Sequence, residues 1–203
     1  MAKSYLDTIY DSNDPQARRR TYDAWAASYD AEVAENGYVT PARCADALVK
    51  AGLPLDAPIL DMGCGTGLAG LALRAAGFTH VDGTDVSAGM LGQARARNVY
   101  RHLTQGDPEQ PPQIPPGTAA IVAAGVIGAG AAPASLLRQC IDGLTPGALM
   151  VFSFNDHTMA DPAYPAALQA VQDDGCAELI DAAHGPHLTA MEINAWVYTL
   201  RRL

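Results

Sequence analysis

The 203-residue chain is short of cysteine, with four in all, and none stands in a Cys-x-x-Cys pair or at a Cys/His metal-ligand spacing. That argues against a disulfide frame and a zinc site, so Cys44, Cys64, Cys140 and Cys176 read as free thiols in a reducing cytosol, with no metal expected. Basic residues are scarce as well, 13 Lys and Arg against 22 Asp and Glu, for a net charge of -9. A broad grip on nucleic acid needs clustered cations on phosphates, so this balance opposes it and favours a small-molecule partner. The one basic run, Arg18 to Arg20, leads into "TYDAWAASYD" and reads as the solvated face of a helix. Long apolar runs are missing. The longest, "GTAAIVAAGVIGAGAAP", is broken by glycines and too short to span a bilayer, and no charged leader precedes an apolar segment. A soluble, cytoplasmic protein without a membrane partner is expected. Nothing here specifies its oligomeric state, and no internal repeat is present.

What the chain does have is alternation. The runs 57–62, 80–86, 100–105, 119–125 and 148–154 have strand length and composition, and helical segments at about 67–76, 87–97 and 133–144 lie between them. Such alternation predicts a parallel sheet with helices on both faces. Ser87 suits an N-cap, and Pro133 a first helical turn. Ahead of the sheet, 14–52 reads as two helices, the second opening with Thr40 as cap and Pro41 at its first position. Past the fifth strand come a helix near 163–173 and two strand-like runs, "CAELIDAAH" and "AWVYTLRRL", which predict a hairpin at one sheet edge. "GDPEQPPQIPPG", with five prolines, is a stiff connecting loop. The expected architecture is therefore α/β: a Rossmann-like, doubly wound, seven-stranded sheet, mostly parallel with an antiparallel C-terminal hairpin strand. One domain over 1–203 is expected, with a helical cover to about residue 55 and the sheet from about 56.

The first strand runs into "PILDMGCGTGLAG". A tight turn from a buried strand into a helix needs residues that tolerate positive φ or let a ligand approach the backbone, and Gly63, Gly65 and Gly67 meet that need. The helix start then offers free N–H groups, as in dinucleotide and P-loop sites. Two absences separate this loop from both. Leu68 stands where G-x-G-x-x-G places its third glycine, and no Gly-Lys-Ser or Gly-Lys-Thr follows. Asp61, ending the strand, would repel a pyrophosphate and attract a cationic amino group. Asp85 ends the second strand, where doubly wound folds place a carboxylate on ribose hydroxyls. Asp107, after the third strand, is placed to accept from an adenine amine. A cation, a ribose and an adenine together suggest S-adenosylmethionine.

These residues resemble the class I S-adenosylmethionine-dependent methyltransferases: "ILDMGCGTG" is similar to their first motif, "VDGTDVSAGML" to the segment with the ribose acid, and "LTPGALMVFS" to the helix-to-fifth-strand signature. "YDAWAASYD", "FSFNDH" and "HGPHL" further resemble the Williams–Beuren syndrome region methyltransferase-like subfamily. The resemblance covers about residues 20–203. It implies that Asp61, Gly63 and Gly65 hold the methionine part, with the backbone from Cys64 through Thr66 to Gly67 close by. It implies Asp85 on the ribose, Val86 and Met90 on adenine, Asp107 and Pro108 at its edge, Gly125 near the methionine amino end, and Tyr29 closing over the donor. Where family members begin the fourth strand with aspartate, Ala119 stands, and Gly128 to Ala131 supply no polar side chain.

Several of these residues have plainer explanations. Met90 on an amphipathic helix serves a core as readily as an adenine, and Cys64 is a small residue in a crowded loop. His80 and His102 beside strands, and His184 and His187 at the hairpin, read as structural. His157 and Asn155 leave the C-terminal end of the fifth strand, where open α/β sheets bind ligands, so His157 is the candidate base. The expected function is methyl transfer from S-adenosylmethionine, leaving S-adenosylhomocysteine, to a small molecule enclosed by Tyr22, Trp25, Tyr29 and Tyr38. A binding protein without turnover is the alternative; Asp61 and Leu68 argue against a nicotinamide oxidoreductase, and the acidity against nucleic-acid methylation.

Overall fold

The computed structural model describes residues 14–203; the first residues of the expected cover, 1–13, lie outside them. Seven strands form one sheet: β1 (Ile59–Met62), β2 (Val81–Asp85), β3 (Leu103–Gln105), β4 (Ala120–Ala123), β5 (Leu149–Asn155), β6 (Ala177–Leu188) and β7 (Ile193–Arg202). Their order is β3-β2-β1-β4-β5-β7-β6, parallel except for β7, which runs antiparallel to both β5 and β6. The chain winds outward from β1 to β3 and restarts at β4 on the other side of β1. Side chains at the C-terminal ends of β1 and β4 therefore flank the switch point, where such sheets leave a crevice.

Every residue of β1 and β4 is buried, because helices cover both faces of the sheet. On one face, Leu137 and Ile141 of α6 (Ser135–Gly143) and Leu168 and Val171 of α8 (Ala163–Asp173) pack on Leu60, Ile121 and Phe152. On the other, Leu48 of α3 (Thr40–Lys50) and Leu73 of α4 (Leu68–Ala75) pack on Ile59, Val122 and Val151. Each such side chain contributes about 1.5–3 kcal/mol by leaving water, so this central layer is the rigid part on which the loops stand. α5 (Ala88–Ala96) starts as expected, with Ser87 Oγ accepting from Met90 N.

Five local features depart from expectation. The first cover helix is broken into α1 (Pro15–Trp25) and α2 (Tyr29–Glu35), and the break lets the buried Trp25 donate through Nε1 to Glu32 at 2.8 Å. Thr40 begins α3 rather than capping it, and Pro133 falls two residues before α6. A short helix, α7 (Asp156–Ala160), follows β5 directly because Asn155 Oδ1 accepts from Thr158 N. β6 runs on through Gly185 and Pro186 to Leu188, which an edge strand with a register shift there tolerates. Arg43 of α3 fixes this hairpin, its guanidinium donating to the carbonyls of Ala183, Gly185, Pro186 and Ala195. Among the described residues, no helix is long and apolar enough to cross a membrane.

Candidate active site

The loop between β1 and α4 is built on backbone only glycine adopts readily. Gly63 and Gly65 have φ of 67° and 54°. A side chain at Gly63 would meet Val126 Cγ1 at 2.7 Å, whereas at Gly65 nothing lies within 4 Å, so the loop is open to a ligand above Gly65. Beneath it, Asp61 is 1% exposed. Its Oδ2 accepts from the Tyr100 hydroxyl at 2.6 Å, while Oδ1 is buried with no hydrogen-bond partner in the structure. Burial pushes the Asp61 carboxyl up to about 7, opposed by the Tyr100 hydrogen bond and reinforced by the charge of Asp85. An orphaned carboxylate oxygen stabilises an added cation, and so fits a ligand with an ammonium group.

Asp85 stands on the other side of Gly65. Its Oδ2 accepts from Gly65 N and its Oδ1 from Ser87 N, both at 2.8 Å. Burial raises its pKa, against these backbone hydrogen bonds. An ionised carboxylate accepts about four hydrogen bonds, so each oxygen keeps capacity for a hydroxyl. Asp23 of α1 adds a second acid, accepting from Ser87 Oγ at 2.6 Å and Gly89 N at 3.0 Å. Val86 is half-buried beside Asp85, and Pro108 is half-buried too. Asp107 is exposed and accepts from Glu109 N at 2.9 Å. Met90 departs from its expected place on an adenine: it is 1% exposed, turned into the core by the helix face it occupies.

The cover is tied to this loop by charge. Thr66 Oγ1 donates to Asp30 Oδ1 at 2.6 Å, Arg97 Nε donates to the Thr66 carbonyl at 2.6 Å, and Arg97 pairs with Asp30 Oδ2. Buried Thr66 thus joins α2 to the end of α5. Asp30→Ala is expected to destabilise the fold by about 1–2 kcal/mol, the low end for hydrogen bonds to charged groups, because the Asp30 side chain is 43% exposed. The measurement is a urea midpoint together with limited proteolysis, and the first new cut is expected between α1 and α3.

Tyr22, Trp25, Tyr29 and Tyr38 line one cleft with about 80 Å³ of open space, whose floor includes Gly125, Ser153, Asn155 and Thr158. Trp25 and Tyr29 meet edge to face, with ring centroids 4.6 Å apart. Burial, with the charges of Asp30 and Asp85, pushes the Tyr29 phenol upward and keeps it protonated. Gly125 N donates to Ser153 Oγ at 2.9 Å, and Tyr38 donates to the Ala124 carbonyl at 3.2 Å, closing the base. His157, the expected base, is exposed on α7 and does not line the cleft, because α7 turns its neighbour Thr158 toward the cleft instead. The histidine that does line it is His187 of β6. It is 7% exposed, with Nδ1 2.7 Å from the Thr40 hydroxyl and its ring edge-on to Tyr38 at 5.2 Å. Burial and the nearby Arg43 push its pKa down to about 4. Thr40 and His187 lie 147 residues apart, so no sequence spacing announces the pair. Nor does one announce Tyr100 under Asp61.

Residues 59–147, from β1 to the turn before β5, match a methyltransferase domain family. Human methyltransferase-like protein 27 is 37% identical over 158 residues, taking in 75% of this chain and 63% of the human protein. An S-adenosylmethionine-dependent methyltransferase from Mesorhizobium loti superposes with a TM-score of 0.58 at 17% identity, over 77% of this chain and 96% of that one. Magnesium protoporphyrin IX methyltransferase from Synechocystis, solved with S-adenosylmethionine bound, superposes with a TM-score of 0.59 at 17% identity, over 98% of this chain and 90% of that one.

Proposed function

We propose that the chain is a class I S-adenosylmethionine-dependent methyltransferase and that it moves the methyl group of that donor onto a small molecule. One observation carries the proposal: Asp61, with its unpartnered oxygen, and Asp85 flank the open backbone of Gly65, and Gly125 and Tyr29 continue from there into the aromatic cleft. Asp61 would take the ammonium of the methionine part, with the backbone of Gly63, Cys64, Gly65, Thr66 and Gly67 alongside. Asp85 would take the ribose hydroxyls. Val86, Asp107 and Pro108 would border the adenine, with Met90 shaping that wall from inside the core.

The bound donor supplies a methyl carbon on a positively charged sulfur. The cleft contributes position: holding acceptor and methyl at about 3–3.5 Å and in line can supply much of the acceleration. Its aromatic walls would shield the reaction from water, and their π faces would stabilise a cation placed over them. The acidity of the chain supports a small-molecule acceptor over nucleic acid, and its free cysteines support a reducing cytoplasm. One methyltransferase domain over the whole chain is part of this proposal.

A second reading, binding without turnover, is favoured by the loop Gly128–Ala131, which offers no polar side chain after β4. Calorimetry with S-adenosylmethionine, S-adenosylhomocysteine and NADH tests the donor. Binding of both sulfur ligands and not NADH is expected, and tight binding of NADH alone would refute the proposal. S-adenosylhomocysteine released during incubation with an acceptor panel supports turnover; its absence across the panel favours the second reading.

A further inference from the structure

Resting on the methyl-transfer reading, we propose that the acceptor is an uncharged compound bearing a hydroxyl group, and that His187 holds this hydroxyl and receives its proton. The first ground is what lines the cleft. In a protein of net charge -9, the residues around it include no Asp, Glu, Lys or Arg. An acceptor with a fixed charge would lose its water there without gaining a counter-charge. A cationic acceptor would also sit beside the donor's own positive charge in a medium that screens poorly. A flat, neutral ring among Tyr22, Trp25 and Tyr38 meets neither cost.

The second ground is how His187 is held. Its Nδ1 is engaged by the fully buried Thr40 hydroxyl, and its carbonyl accepts from Val39 N at 3.1 Å. The Tyr38 ring edge fixes its plane. The Nδ1 edge of the ring is taken by Thr40, and His187 is among the residues that line the cleft, so Nε2 is the nitrogen left for an acceptor. Both Thr40 and His187 sit on regular elements that Arg43 clamps together, so the imidazole is set in position before any acceptor arrives.

The third ground is what this imidazole can do. With a pKa near 4, lowered by burial, Arg43 and His157 and only partly restored by Asp156, it is neutral at ordinary pH but weakly basic. An amine arrives as an ammonium ion, with a pKa of about 10 for an alkylamine, and such a base cannot remove that proton. A hydroxyl arrives neutral. Its oxygen lone pair forms the new bond to the methyl carbon while the carbon–sulfur bond breaks with its electron pair going to sulfur. The oxygen becomes strongly acidic as that bond forms, and the O–H proton then passes to Nε2 of His187. The products are a methyl ether, a neutral thioether and an imidazolium that returns its proton to solvent.

The experiment uses the full chain loaded with S-adenosylhomocysteine and three probes of one ring size: phenol, benzylammonium and benzoate. Phenol is expected to bind at least about 10-fold tighter than either ion. The imidazole nitrogen resonances of His187 should shift with phenol and stay still with benzoate. His187→Gln should weaken phenol by about 10-fold while leaving S-adenosylhomocysteine affinity unchanged. Incubation with S-adenosylmethionine should convert phenol to anisole. Equal or tighter binding of either ion, no phenol binding to the loaded protein, or phenol affinity indifferent to His187→Gln would each overturn the proposal. If His187→Gln fails to fold, the charge series and the resonance shifts on the unaltered protein still decide it. Failure to bind S-adenosylhomocysteine at all would instead remove the methyl-transfer reading beneath it.

Discussion

Asp61→Asn is expected to raise the melting temperature of the ligand-free protein at pH 8 while weakening its hold on S-adenosylmethionine. The folded carboxyl, at about 7, stands well above its ordinary 3.8. A group raised in this way favours the fold most below its unfolded pKa, and that contribution is lost as pH rises through the folded value. At pH 8 the buried carboxylate is ionised and the fold bears the full cost, on the order of 4 kcal/mol for a shift of about three units. Asparagine removes that charge and still accepts from Tyr100, but its amide occupies the orphaned position at a cost of about 1–3 kcal/mol. The net gain is roughly 1–3 kcal/mol, or several degrees in a chain of this size. At pH 5, where the wild-type carboxyl is already protonated, the advantage should vanish. A variant equally stabilised at both pH values would show that Asp61 is not the charged burden inferred here. The same titration has a reciprocal side: wild-type affinity for the donor should rise with pH through about 7, as the carboxylate that pairs with its ammonium appears.

Asp85→Ala should act harder on binding. Its carboxylate accepts from two backbone N–H groups at 2.8 Å, which alanine leaves without their acceptor. Losing the ribose contacts as well should cost about 3 kcal/mol or more, a factor of at least about 100 in affinity for S-adenosylmethionine and S-adenosylhomocysteine alike. Adenosine separates the two acids, because it has the ribose and no amino acid. Asp85→Ala should weaken adenosine and Asp61→Asn should not. Adenosine affinity lost equally in both variants would mean that the two carboxylates do not divide the ligand between them.

The sheet was legible because each strand and helix around the glycine loop announces itself locally, by apolar run, period and cap. Ser87 shows this: an N-cap is a property of a few adjacent residues, and it stands where the pattern places it. The shape of the glycine loop was legible for the same reason, since Gly63 and Gly65 take the positive φ that the motif calls for, and Asp85 ends β2 as the pattern places it. The aromatic cleft is different. His187 and Thr40 meet because α3 packs against the end of a hairpin that is threaded into the sheet, and His157 stays outside the cleft because Thr158 takes the cleft-facing side of a five-residue helix. The break between α1 and α2 escaped for a related reason, since the Trp25–Glu32 hydrogen bond that accompanies it needs the turn to exist first. Met90 shows the converse: its helix was legible, but which side of that helix meets the core depends on how the sheet beneath it twists.

Arg43, bound to four carbonyls of the last hairpin, ties the front of the chain to its back. During synthesis, β1 to β4 and the glycine loop emerge well before β7, yet β7 must slide between β5 and β6 before Arg43 finds its acceptors. At about 5–20 residues per second, the interval between the glycine loop and the hairpin is seconds long. The glycine loop and Asp85 are thus available to fold early, and the cleft that His187 lines is completed only after the last hairpin has emerged.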